Sequence, residues 1–165
     1  MKSNLWTKTT LSVYKYLDRI AEAMDKLVER KALNSYYIHM ANNGVMDVAN
    51  EIIELSERKK RLINIKVATE RALEEMDKLY AQILIEKYID NDKGEDIALR
   101  HNLSIRTYFR RQNQAEDYFT SLMSKQNFSE ARLSEYLACE NWIIKVYNKY
   151  QKEQEDIDLE DIAII

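Results

Sequence analysis

The side chains best suited to chemistry in this chain lie in one short run, NLSIRTYFRRQNQ, residues 102–114. Arg106, Arg110 and Arg111 each carry a planar fork of N–H donors, and Gln112, Asn113 and Gln114 carry amides that both donate and accept. An arginine can clasp the two acceptors of guanine in a DNA major groove, and an Asn or Gln amide can clasp adenine. The same groups can also hold phosphate oxygens, which position a protein on a duplex without reading its sequence. The surrounding charge is uneven. Four arginines and no acid lie between Arg100 and Gln114, although the chain has a net charge of −3 and six acids with no base from Glu153 to Asp161. Local charge governs such contacts more than the sum does.

Paired arginines alone usually mean a solvated helix face, so the elements that would aim them decide the reading. Ser104 can accept a hydrogen bond from the backbone N–H of Arg106 or Thr107 and so start a helix. Asn102 suits a left-handed turn residue, Leu103 can plug the space between two helices, and Ala98 is small enough for a helix crossing. Tyr108 and Ala115, seven apart, share an inward face that Phe119 and Leu122 extend. A short helix over 95–102 and a longer one over 104–125 then make a helix-turn-helix. Its outward face holds Arg106, Arg110, Asn113 and Gln114, with Arg111 and Gln112 at the flank. Expected contacts to double-stranded DNA come from Ser104, Arg106, Thr107, Arg110, Arg111, Asn113 and Gln114, with Lys93, Arg100 and Lys125 on phosphate.

The stretch LYAQILIEKYIDNDKGEDIALRHNLSIRTYFRRQNQA resembles region 4 of sigma-70 type factors. More closely, it resembles the sigma-like C-terminal module of the ArpU and RinA-like regulators of phages and prophages of Gram-positive bacteria. The shared elements stand here as Lys87-Tyr88-Ile89, Ile97-Ala98, Ser104-Ile105-Arg106-Thr107-Tyr108-Phe109-Arg110-Arg111 and Ala115. The likeness covers roughly residues 72–123, under a third of the chain. It implies transcriptional control of phage genes, with DNA and RNA polymerase as partners. Two positions depart from the pattern. His101 stands where leucine is preferred, and reads either as a satisfied core histidine or as a group near the DNA backbone. Gly94 stands where an aromatic often sits. Both remove apolar bulk from a small three-helix core, which points to support from the long helix before it or the helix after it.

Composition sets the frame for these elements. The chain has 165 residues, no proline and only two glycines, Gly44 and Gly94, a poor supply of turn residues for sheets. The expected fold is all-α: a long N-terminal helical hairpin over residues 1–71, a sigma region 4-like helix-turn-helix over 72–126, and a C-terminal helix with an acidic tail over 127–165. Val13, Leu17, Ile20, Met24 and Leu27 form a heptad-spaced stripe on the first helix. Asn34 and Ser35 suit a turn or a new cap, and Asn42-Asn43-Gly44 a left-handed turn. A second stripe runs from Val45 through Ile52, Leu62 and Leu73 to Ile83, weakened in its middle by Lys59, Lys66 and Thr69, where a kink is expected. Asp90 to Gly94 reads as a turn, and Ser129 as the cap of one further helix carrying Leu133, Leu137, Ile143 and Tyr150. The last stretch, EDIDLEDIAII, reads as a frayed tail rather than a partner-seeking segment.

Catalysis finds no support. No Gly-rich phosphate loop, nucleophile elbow or paired-histidine zinc motif occurs, and His39 and His101 lie far apart. Carboxylate pairs such as Glu74-Glu75 and Glu95-Asp96 read as solvated. The one cysteine, Cys139, excludes an internal disulfide and a Cys-based zinc site, and is expected to be buried in a helix. No cofactor or metal is expected. No apolar run approaches the ~20 residues of a membrane span, and the first ten residues lack the apolar core of an export signal, so a cytoplasmic location is expected. Because one module of this size binds weakly, a homodimer or higher homo-oligomer is expected, with the hairpin serving dimerisation or contact with RNA polymerase. Two other functions stay open: a sigma-like adaptor or antagonist of the transcription machinery that does not read DNA, and a structural bundle.

Overall fold

The computed structural model describes the backbone of residues 4–39 and 45–163, and the side chains of 4–34 and 46–158. Among these residues the chain is all-helical and contains no strand, as its shortage of glycine and proline implies. Seven α-helices follow in order: α1 (Leu5–His39), α2 (Val45–Glu75), α3 (Lys78–Leu84), α4 (Gly94–Arg100), α5 (Ile105–Lys125), α6 (Glu130–Tyr136) and α7 (Asn141–Ala163). No helix among the described residues is long and apolar enough to cross a membrane.

Several boundaries differ from the sequence expectation. Helix α1 continues through Asn34 and Ser35, since neither residue forbids a helix interior. The Asn42–Gly44 turn lies outside the described residues. Helix α2 runs unbroken across Lys59 to Thr69, and the break falls instead at Met76-Asp77. Asp77 takes an extended backbone, φ −53° and ψ 137°, and its carbonyl accepts from the Ala81 N–H at 3.0 Å to begin α3. Polar residues in a seam weaken packing without breaking backbone hydrogen bonds, so the helix had no reason to stop at Lys59. The helix expected after Ser129 is two. Helix α6 ends at Tyr136 with Leu137 as its cap, and α7 begins after the fully buried Glu140, whose carbonyl accepts from Ile143 and Ile144 N–H. Cys139 lies in the turn between them and is exposed rather than buried. The acidic tail is helical through Ala163.

With so little glycine, asparagine supplies the left-handed turns. Asn91, Asn102 and Asn127 have φ of 60°, 54° and 66°, a conformation that asparagine reaches at lower cost than most residues with a Cβ. Between α3 and Asn91 the helix widens. Ile85–Ile89 is π-helical, with the Asp90 N–H bonded to the Ile85 carbonyl at 2.9 Å and the Asp92 N–H to the Glu86 carbonyl at 2.8 Å.

The chain divides into two compact units, Met1–Tyr14 with Ala68–Ile165, and Lys15–Val67. In the smaller unit, Leu17, Ala21 and Met24 on α1 and Leu62 and Ile65 on α2 are buried. Ion pairs join α1 to α2 with opposite chain sense: Asp18 to Lys66 at 2.9 Å, Asp25 to Lys59 at 2.7 Å, and Lys31 to Glu51. Leu27, the last residue of the predicted α1 stripe, is 40% exposed, so that seam ends earlier than its spacing suggests.

The larger unit is built around one core. Leu11 of α1, Ala68, Ala72 and Met76 of α2, Ala81 and Leu84 of α3, and Ala115, Phe119, Leu122 and Met123 of α5 pack together, with Tyr150 of α7 at the edge. Each fully buried Leu, Met or Phe side chain contributes roughly 1.5–3 kcal/mol through removal from water. The end of α2 is thus part of the packing around α5, as the apolar shortfall of the 72–123 segment suggested. A satellite cluster of Ile83, Ile97, Ala98 and Tyr108, with Leu79 and Leu103 against it, joins α3, α4 and α5.

Candidate nucleic-acid interface

Helices α4 and α5 meet through a short turn, and each part has a local cause. The Leu103 N–H bonds to the Ala98 carbonyl at 2.8 Å, and the Asn102 N–H to that of Leu99 at 3.2 Å, closing α4 over the left-handed Asn102. Ser104 caps α5: its Oγ accepts from the Thr107 N–H at 3.2 Å and donates to Thr107 Oγ1 at 2.9 Å. Tyr108, on the inner face, is fully buried against Ile83, Ile97 and Ala98. Burial, with Glu116 and Glu86 adding to it, pushes the Tyr108 phenol up to about 12.

Gly94 now has a reason. A Cβ placed there would stand 2.7 Å from Tyr108 Cε1, so the tyrosine ring fills the space that a side chain at 94 would need. The apolar bulk missing at 94 is supplied from α5. His101 is half-buried at the end of α4, its Nε2 3.1 Å from Glu86 Oε2. It is a satisfied histidine at a helix junction rather than part of an apolar core.

A second group of side chains fixes the depth of α5 against the π-helical segment. The Tyr88 hydroxyl donates to Glu116 Oε1. Gln112 Nε2 donates to the Tyr88 oxygen at 3.2 Å and to Glu116 Oε1 at 3.0 Å. All three residues are buried. Burial, reinforced by the Glu116 carboxylate, raises the Tyr88 phenol far above its ordinary range. Gln112, expected at the flank of the exposed face, belongs to this interior network instead. The inward stripe of α5 includes position 112 because 108, 112, 115 and 119 recur at helical spacing.

The outward residues fall into three groups. Arg106, Arg110 and Asn113 share one stripe of α5 and are exposed. Neither Arg106 nor Arg110 makes a hydrogen bond or ion pair among the described residues. Asn113 lies at the edge of a polar cleft of about 680 Å³, together with Asn4, Lys8, Asp117, Ser121, Gln154 and Asp158. Arg111 and Gln114 form the second group, held by Tyr80 of α3. Arg111 Nη1 donates to the Tyr80 hydroxyl at 3.0 Å and its guanidinium lies 5.8 Å over the ring, while that hydroxyl donates to Gln114 Oε1 at 3.1 Å. Ser104 and Thr107 are occupied with the cap.

The third group is the set assigned to phosphate. Arg100 donates to Asp92 Oδ2 at 2.7 Å and reaches Glu86 at 3.3 Å; the hydrogen bond it gives to Asp92 raises its already high value further. Lys93 is exposed at the cap position of α4, and Lys125 is exposed at the last position of α5. No family model, no curated protein and no solved structure matches the chain. Among the described residues no cluster of His, Cys, Asp and Glu is arranged to hold a metal.

Three further residues near this face have places that the sequence pattern did not assign. Tyr80 of α3 organises Arg111 and Gln114, and nothing local in the sequence marks that role. Ile105 and Phe109 are 45% and 53% exposed beside Arg106 and Arg110. Their signal was legible: both are apolar at positions that the inward spacing of Tyr108, Gln112 and Ala115 leaves out.

Proposed function

We propose that this protein is a sequence-specific DNA-binding transcriptional regulator, with α4 and α5 as its helix-turn-helix and the first turns of α5 entering the major groove. The observation that carries the reading is the state of Arg106 and Arg110. They are exposed and without partners among the described residues, on a helix whose opposite face is buried and whose first turn is capped. Unengaged guanidiniums on a fixed helix can meet base edges without first giving up an internal partner. Arg100, by contrast, must exchange Asp92 and Glu86 for phosphate. The resemblance of residues 72–123 to sigma-like modules of phage regulators supports the same reading and suggests RNA polymerase as a further partner. The paired α1 and α2 of the Lys15–Val67 unit would serve dimerisation or that contact.

Duplexes selected from a random pool, followed by titration at several salt concentrations, test the proposal. The Arg106→Ala/Arg110→Ala protein should fold as the parent does, because exposed substitutions usually change stability by less than about 0.5 kcal/mol. It should lose specific affinity and show a shallower salt dependence. Unchanged binding and salt slope in the folded double variant would reject α5 as the reading helix. The adaptor reading is favoured by the net charge of −3. It predicts negligible retention on heparin and on mixed-sequence DNA at low salt.

A further inference from the structure

We infer that Ile105 and Phe109 are the apolar half of the reading face, and that they select thymine by packing on its 5-methyl group. The inference rests on the DNA-binding reading and adds a base preference that the arginines and amides do not supply. Ile105 and Phe109 are four residues apart on α5, and each directly precedes an exposed arginine. One helix stripe is therefore apolar and the neighbouring stripe cationic, about 100° around the axis. Both residues are large and substantially exposed, at 45% and 53%. Phe109 is also oriented: its ring meets that of the fully buried Tyr108 edge-on, with centroids 5.2 Å apart and planes at 60°.

The surroundings fit a polyanion with an apolar spot. Ile105 and Phe109 line a shallow cleft of about 380 Å³ together with Lys87, Lys93, Gly94 and Glu95. Of the charged residues lining this cleft, Lys87 and Lys93 are cationic against the single carboxylate of Glu95, and Arg106 and Arg110 follow its two apolar residues in sequence. That balance suits DNA better than a neutral or acidic peptide. On the major-groove edges of the four bases, the thymine methyl is the one apolar group, and phenylalanine is among the side chains that contact it. An apolar stripe beside an arginine stripe thus matches a site with thymines next to guanines.

The test uses the selected duplex and the full chain. Each thymine is replaced in turn by deoxyuridine, which removes the methyl and leaves the pairing and the O4 acceptor. At fixed salt, one or two positions should weaken parent binding by roughly three- to five-fold, the effect expected for exposing one buried methyl-sized group. At those positions Phe109→Ala or Ile105→Ala should bind thymine and deoxyuridine duplexes equally. Because the first arm uses the unaltered protein, it stands even if a variant folds poorly. Specific binding that ignores every deoxyuridine replacement overturns the inference and leaves the DNA-binding reading intact. An equal deoxyuridine penalty in parent and both variants likewise overturns it. Unchanged DNA binding with lost binding to purified bacterial RNA polymerase would assign the two side chains to protein docking, against the inference. If the parent selects no sequence at all, the DNA-binding reading fails and this inference fails with it.

Discussion

Along α5, the first two turns and the last three present side chains at the same three-and-four spacing, yet in different company. Arg106 and Arg110 at the front are exposed and have no partner among the described residues. Farther along the same stripe, Asp117 Oδ1 accepts from Asn4 Nδ2 at 2.7 Å, and the Thr120 hydroxyl meets that of Thr7 at 2.6 Å. Asn4 and the first turn of α1 therefore engage the rear of this stripe. On its outer stripe the helix is engaged at the rear and open at the front, while its inner face is buried along both halves, through Tyr108 at the front and Phe119 at the rear. The Tyr88–Gln112–Glu116 network lies between them on the inner face, so the open half inherits a fixed position from the covered one. An open polar face on an anchored helix is what recognition needs, because little order has to be created on binding.

Removing the anchor should have the largest effect. Phe119 is fully buried at the centre of the larger unit's core, and Phe119→Ala should cost about 3–5 kcal/mol. Urea titration should show a much earlier midpoint for this variant. A loss below about 1 kcal/mol would mean that the rear half is not the anchor.

The next test bears on the buried inner face, at the joint through Tyr88 and at the front through Tyr108. Tyr88 and Tyr108 are raised in the folded protein, Tyr108 to about 12, whereas an unfolded tyrosine ionises near ~10. The unfolded chain thus releases these protons first as pH rises. Their contribution is fully present below about pH 10 and is lost as pH rises toward and through about 12, at up to roughly 1.4 kcal/mol per pH unit for each tyrosine. Midpoints measured between pH 9 and 11 should fall accordingly. The fall should be shallower in Tyr88→Phe, and a flat profile in the parent would contradict the burial of both phenols.

The smallest effect should come from the open end. Ser104→Ala removes the α5 cap and should cost about 1 kcal/mol, read as a small decrease in melting temperature. If it matched Phe119→Ala, the front half would be an anchor too, and the contrast would collapse.

Much of the front half was legible in sequence because its determinants are local. Ser104 as cap, Asn102 as left-handed turn and Tyr108 as inward residue each depend on a neighbour within a few positions. In the rear half the inward Phe119 and Leu122 were legible from their spacing, but the polar partners of its outer stripe were not. Asn4 with Asp117 and Thr7 with Thr120 are more than a hundred residues apart, and polar pairs carry no periodic mark. Gln112 was misplaced for a different reason: its polar type suggested the exposed flank, although its spacing from Tyr108 and Ala115 puts it on the inward stripe with Tyr88 and Glu116 as partners. Helix breaks at Asp77 and before Glu140 were missed because no glycine or proline marks them.

By itself the sequence determined that this chain is helical, through its periodic stripes and its lack of turn residues. It also determined where α4 gives way to α5, through a cap and a left-handed asparagine. Only the tertiary structure decided which arginines are open: Arg111 is held by Tyr80 and Arg100 by Asp92 and Glu86, while Arg106 and Arg110 project clear. The reason is physical. Side-chain spacing is a property of a single helix, but whether a charged group has a partner depends on what other helices bring beside it.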